Sequence, residues 1–233
     1  MRLEFEHSQA PMRIQYTSEL ETVRNNLIDM GETTVLLLTE ALHAVAEGNR
    51  GPSARASELE AHTDHQHRLI HDQCLNLITL QAPVAGDARL ITGILDAIVD
   101  LELIGDYAYE IVTLCSEMER RPPSQILSQI ADAGGKVREC LSMAIESWQT
   151  WDSAQALAVR SREAAIRVEF QSAYDKLSRL ISANAQGIAY VDLMLVCKHL
   201  ERILRHAVCV ADQAAEAAPV NRGEGTEAVR PGN

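Results

Sequence analysis

Between residues 87 and 118, Glu102, Asp106 and Glu110 recur at every fourth position, and Asp96 and Asp100 widen the acidic arc. On an α-helix this spacing puts the three carboxylates on one face, beside an apolar stripe of Ile91, Ile94, Ile98, Leu101, Ala108 and Val112. A second line, Glu60, Asp64, His67 and His71, falls within roughly 60° on its own helix, next to Leu59, Ile70 and Leu77. Like charges four apart cost a helix a few tenths of a kcal/mol per pair, so stability does not call for this pattern. On facing helices of a bundle, such carboxylates form an oxygen-rich pocket for a cation, and an imidazole can join them. The competing reading is a solvated acidic face, natural in a chain of formal charge -12. His67 and His71 by themselves read as an ordinary surface pair.

These lines need long helices to carry them, and the composition provides for that. Ala, Leu, Ile, Glu and Arg dominate, hydrophobic residues make up 46%, and aromatics only 4%. Turn signals fall at "GNRGPS", "QAPVAGD", "ERRPPS", "QTWD" and "NAQG". The stretches between them repeat apolar residues at i, i+3, i+4 and i+7. The pattern predicts six helices, near 12–47, 53–80, 87–118, 124–148, 152–183 and 187–217, with Ser53, Asp87, Ser124 and Asp152 as N-caps. Short connections make neighbours antiparallel. Pro122 and Pro123 divide three helices from three, and "LELIGD" (101–106) returns as "LERILR" (200–205). A period near 100 residues predicts an all-α fold of two tandem, pseudo-repeated, antiparallel three-helix bundles, 12–118 and 124–217. Residues 1–11 read as a lead-in and 218–233 as a disordered tail.

The net charge argues against nucleic acid and anionic membrane surfaces as direct ligands. No apolar run reaches membrane length and no basic-then-apolar leader is visible, so the expectation is a cytoplasmic protein without membrane insertion. Five scattered cysteines without a C-x-x-C pair fit reduced, buried thiols.

"LQAPVAGDARLITGILDAIVDLELIGDYA" (80–108) resembles the signature of the PhoU family of phosphate-signalling proteins. "CKHLERILRHAVCVAD" (197–212) resembles that family's second repeat, and "MRIQYTSEL" (12–20) its usual start. The resemblance covers about residues 12–217 and implies the same two-bundle fold, in a cytoplasmic protein that commonly forms a homodimer. It implies a negative regulator of the phosphate-starvation response, linking a phosphate ABC transporter's ATPase subunit to a histidine sensor kinase, and not an enzyme. It also implies a metal site built on E/D-x-x-x-D motifs. Transferred residue by residue, the ligands are Glu60, Asp64, Glu102 and Asp106. Asp100 matches a common family acid, and Glu110 stands where the family often has Asn. With His67 and His71, these two form a wider candidate set. The mixed donors suit iron, manganese, zinc or magnesium.

The second copy departs from this motif. Glu60 and Asp64 correspond to Glu163 and Arg167, and Glu102 and Asp106 to Glu201 and Arg205. Both aspartates have become arginines. The expectation is one metal-competent bundle and one closed by the pairs Glu163–Arg167 and Glu201–Arg205. His199 and His206 show no acidic partner beyond Glu201 and read as structural or surface residues. The alternative function is a carboxylate-bridged metal-binding helical-bundle enzyme. Its usual Glu-x-x-His pairs are missing from the acidic lines. A phosphotransfer role for His43 or His206 has no distinctive motif behind it.

Overall fold

A computed structural model describes residues 6–47, 53–81, 85–118, 121–183 and 187–219. The lead-in before residue 6, part of each of four predicted turns, and residues 220–233 of the predicted tail lie outside the described residues. Among the described residues the regular structure is six helices: α1 Glu6–Glu47, α2 Ala54–Gln81, α3 Ala85–Glu117, α4 Ser124–Thr150, α5 Ser153–Ser182 and α6 Gly187–Ala217. The helix α1 starts ahead of the expected residue 12, carried by helix formers such as Glu6, Gln9 and Ala10, and takes in Pro11.

The ends follow local chemistry. Ser53 caps α2 by accepting from the Ala56 N–H (3.3 Å), and Asp152 caps α5 by accepting from Ala154 N–H (2.8 Å). Ser124 is not a cap, in contrast to the sequence expectation. Pro123, extended at φ -56° and ψ 135°, takes that position, and its carbonyl accepts from Ile126 N–H (3.1 Å). Asp87 lies inside the first turn of α3, where its charge complements the helix dipole. Trp151 ends α4 in the left-handed region (φ 58°) and donates its N–H to Ser147 O.

Helices α1, α2 and α3 pack on one another, as do α4, α5 and α6. The two bundles then join along α3 with α6 and α1 with α4, leaving α2 and α5 on the flanks. One continuous core results, running from Leu27 and Leu38 through Ile98 and Leu101 to Leu200 and Ile203. Trp148 is fully buried in it, its indole donating to Val210 O at 3.0 Å.

The α1–α4 crossing records the internal repeat. Gly31 of α1 meets Ile145 of α4, and Gly134 of α4 meets Leu42 of α1. Gly134 follows Gly31 by 103 positions, and Ile145 follows Leu42 by the same step. That is the offset between Glu60 and Glu163, so the correspondence of α2 with α5 holds in a separate part of the fold.

Candidate metal centre

The long helices α2 and α3 lie side by side because each turns a full apolar stripe inward, Ile70, Cys74 and Leu77 on one and Ile94, Ile98 and Leu101 on the other. The acidic lines border those stripes and meet. One ligand oxygen each from Glu60, Asp64 and Asp106 lies within 4.8 Å of the others. Glu102 stands one turn before Asp106, with Oε2 at 3.4 Å from His67 Nδ1.

The electrostatics are those of acids without a counter-charge. Burial raises the Glu60 pKa, and the charges of Asp64 and Asp106 raise it further. Burial also raises the Asp106 pKa, reinforced by Glu102, Asp64 and Glu110. A bound cation would remove this repulsion, and three carboxylates from two rigid helices suit a hard divalent or trivalent ion. The donor set therefore fits the metal that the family resemblance implies. Glu60, Asp64 and Asp106 would hold it, with Glu102 and His67 at its edge.

The other candidates point elsewhere. His71 is half exposed and pairs with Asp72 (3.6 Å). A line of residues spaced by four drifts about 40° per step around the helix, so Glu110 has turned about 80° from Glu102. It faces α6, where its Oε2 lies 3.2 Å from His199 Nδ1. Asp100, two residues before Glu102, is on nearly the opposite side. Its carboxylate accepts from Gln213 Nε2 and is bonded to His206 Nδ1, both at 2.7 Å. The sequence reading of His199 and His206 as lacking acidic partners is thus corrected. Both have one on α3, across the bundle boundary. Tyr107 sits between their rings, at 5.5 and 5.9 Å, with Arg202 5.2 Å over its own ring. Tyr107, Arg202 and Gln213 were absent from the sequence-based candidates. A seven-residue step in both helices could have found this seam: Asp100 and Tyr107 on α3, and His199, His206 and Gln213 on α6.

In the second bundle, Arg167 Nη1 lies 3.6 Å from Glu163 Oε1, as the sequence predicts. Glu201 does not pair with Arg205. Its Oε2 is taken by the Tyr174 hydroxyl (3.2 Å), which reaches it from α5, and by Lys198 Nζ (3.2 Å), one turn earlier on α6. Among the described residues, no three-donor metal cluster forms in this bundle.

The model of the PhoU domain matches this chain twice, over residues 27–115 and 130–214. The chain belongs to the PhoU family. It is 27% identical over 209 residues to the phosphate-specific transport system accessory protein PhoU homolog of Synechocystis sp., covering 88% of this chain and 92% of that one. It is 27% identical over 203 residues to the homolog of the same description from Pseudomonas aeruginosa, covering 85% and 83%. The crystal structure of PhoU from Pseudomonas aeruginosa superimposes with a TM-score of 0.79 at 25% identity, over 87% of this chain and 98% of that one. A PhoU structure from Streptococcus pneumoniae gives 0.78 at 16% identity and shows the shared fold. The two tandem three-helix bundles are thus the family architecture. None of the described helices is long and apolar enough to cross a membrane.

Proposed function

We propose that this protein is an accessory regulator of phosphate transport that represses the phosphate-starvation response when phosphate is plentiful. It works as a cytoplasmic homodimer, through contacts with the ATPase subunit of a phosphate ABC transporter and with a histidine sensor kinase. The first bundle holds a metal ion through Glu60, Asp64 and Asp106, with Glu102 and His67 beside it. The role is binding and regulation, not catalysis. The observation that carries this reading is the near full-length match of both repeats to phosphate-transport accessory proteins. The acidic cluster on α2 and α3 supports the metal part independently.

The test is deletion of the gene, with a phosphate-starvation promoter driving a reporter. In phosphate-rich medium the deletion strain should express the reporter and the wild-type gene should silence it again. Unchanged reporter expression and unchanged phosphate uptake would overturn the regulatory reading. Elemental analysis tests the metal part. Wild type should carry metal, Glu102→Ala/Asp106→Ala should lose it, and Glu201→Ala should keep it. Wild type without metal after loading with iron, manganese, zinc and magnesium would refute a metal role.

A further inference from the structure

A groove runs between α1 and α2 in two stretches, of about 400 and 490 Å³. A hydrogen bond from Asn26 Nδ2 to Gln73 Oε1 (2.9 Å) links them, with Asn26 lining the larger stretch and Gln73 the smaller. The lining takes positions 19, 22, 26, 29, 33 and 36 of α1 and 62, 66, 69, 73 and 76 of α2. Steps of three and four on two neighbouring helices make the kind of seam into which a further helix packs. From position 19 to 36 the seam is about 25 Å long, nearly five turns. Among the described residues, only α1 and α2 line it.

The chemistry of the groove is one-sided. Leu36 and Leu69 line the larger stretch and are 46% and 43% exposed. Glu19, Asp29 and Glu32 contribute carboxylates, and no Lys or Arg lines either stretch among the described residues. The arginines next to the groove in sequence are engaged elsewhere. Arg24 lies over the Trp151 ring at 5.0 Å, and Arg68 Nε donates to Asp64 O at 3.1 Å. Among the described residues, neither Asp29 nor Glu32 has an ion pair; Glu32 Oε1 accepts one long bond, 3.4 Å, from Gln149 of α4. Gln66 Oε1, in the wall of the same stretch, is buried without a hydrogen-bond partner. The groove therefore offers hydrogen-bond acceptors beside exposed leucines, and asks for cationic donors on apolar stems.

We propose that the α1–α2 groove is the docking site for a cationic amphipathic helix of a partner protein. Leucine-type side chains of that helix pack on Leu36 and Leu69, and its Arg or Lys side chains reach Asp29, Glu32 and Gln66 Oε1. A second copy of this chain laid face to face on the groove would set Asp29 and Glu32 among like charges, so the surface fits a different protein. The inference rests on the regulatory role only for the existence of such a partner.

The experiment titrates the full chain with a labelled synthetic peptide of about 18 residues, Leu along one helical face and Arg and Lys beside it. A scrambled peptide of the same composition, with no apolar face, is the control for simple attraction to an acidic protein. The amphipathic peptide should bind saturably and at least about tenfold more tightly than the scrambled one. Its binding should weaken at least about tenfold in Leu36→Ser/Leu69→Ser, and Asp29→Asn/Glu32→Gln should bind less and lose most of the salt dependence. Leu157→Ser/Val168→Ser, which removes two more exposed apolar side chains on α5, should bind like wild type. In proton NMR of the same titration, the imidazole resonances of His62 and His65, which line the groove, should move, and that of the exposed His43 should not. Circular dichroism checks that each variant folds, and Asp29→Lys alone replaces a double variant that does not. Equal binding of the two peptides, equal binding by the folded groove variants, or no saturable binding would overturn the proposal. So would a change of oligomeric state in Leu36→Ser/Leu69→Ser by sedimentation, which would make the groove a contact between copies. Repression of the starvation reporter is read separately, so loss of peptide binding in a protein that still represses refutes the docking site and leaves the regulatory role standing.

Discussion

His206 Nδ1 lies 2.7 Å from Asp100 Oδ1, joining α6 to α3 across the boundary between the two bundles. Both side chains are largely buried, and Gln213 holds the other oxygen of the same carboxylate. Two turns before His206, His199 faces Glu110, and Tyr107 fills the space between the two imidazoles. A polar ladder on an otherwise apolar seam fixes the register of one bundle on the other. Removing one partner leaves a buried acceptor or donor without a bond. His206→Ala should therefore lower the unfolding free energy by about 1–3 kcal/mol in urea, more than removal of an exposed histidine such as His43. Equal effects from the two variants would show that the ladder is not a structural element.

The same seam makes a pH prediction. Burial lowers the pKa of His199; Glu110 acts against that shift and Arg202 adds to it. Folding thus weakens proton binding relative to the unfolded chain, whose imidazole has the ordinary value of 6.5. His199 supports the fold above that value and loses its contribution as pH falls through the lower folded pKa. Between about pH 7.5 and 5.5, wild type should lose more stability than His199→Gln, as read from paired urea unfolding curves. A variant that loses as much as wild type would contradict the burial account.

Much of this architecture is legible in the sequence because helices announce themselves by apolar period. Six elements, their antiparallel order and the meeting of the acidic lines all follow from residues three and four apart, such as Ile94–Ile98–Leu101 beside Glu102–Asp106. What does not follow is where a given residue points once helices from different repeats pack together. Asp100 and Glu110 share an acidic helix with Glu102, yet α6 claims them because the stripe rotates as it climbs. The partner of Glu201 was also illegible. Arg205 on the same helix surface competes with Tyr174 from another helix, and only packing decides between them. The Ser124 cap failed for a local reason, since Pro123 already supplies the extended residue that a cap needs.

The acidic cluster should cost the metal-free protein stability. Asp106 and Glu60 have raised pKa values, from burial first and from neighbouring carboxylates second. Each contributes stability when protonated and loses it as pH rises through its folded pKa. Asp106→Asn should therefore stabilise metal-free protein at neutral pH by about 0.2–0.5 kcal/mol, the scale of one like-charge helix pair. If the first bundle holds a metal ion, added metal should raise the melting temperature of wild type, and Asp106→Asn should abolish that rise. Thermal melts with and without metal read both effects, and a destabilised metal-free variant would show that Asp106 is a structural acid.

The two glycines at the α1–α4 crossing should respond differently to the same substitution. A Cβ on Gly31 would lie 2.2 Å from Ile145 Cδ1 and 2.7 Å from Cγ1, so the whole side chain must move. On Gly134 it would meet only the tip of Leu42 at 2.3 Å, with the next atoms at ordinary contact distance. Gly31→Ala should destabilise by about 1–3 kcal/mol. For Gly134→Ala, a Leu42 rotation and the better helix propensity of alanine should hold the loss below about 1 kcal/mol. Chemical denaturation of both variants measures the difference, and equal losses would mean that the helices shift as a unit instead.

Placing aspartates at positions 167 and 205 tests whether the two arginines are what distinguishes the second bundle from the proposed metal site of the first. Arg167→Asp/Arg205→Asp would set a carboxylate four residues after Glu163 and another four after Glu201, the pattern of Glu60 with Asp64 and of Glu102 with Asp106. If the arginines alone keep cations out, elemental analysis of the loaded variant should show about twice the metal per chain found in wild type, because the seam would then offer the same carboxylates from two packed helices. Glu201 is the obstacle, since Lys198 and Tyr174 hold its Oε2 and must release it for it to contribute. Adding Tyr174→Phe frees one of those contacts and should strengthen binding at the new site. Metal content that stays at the wild-type level in both variants would mean that the packing of α5 on α6, and not the two charge reversals, is what separates the bundles.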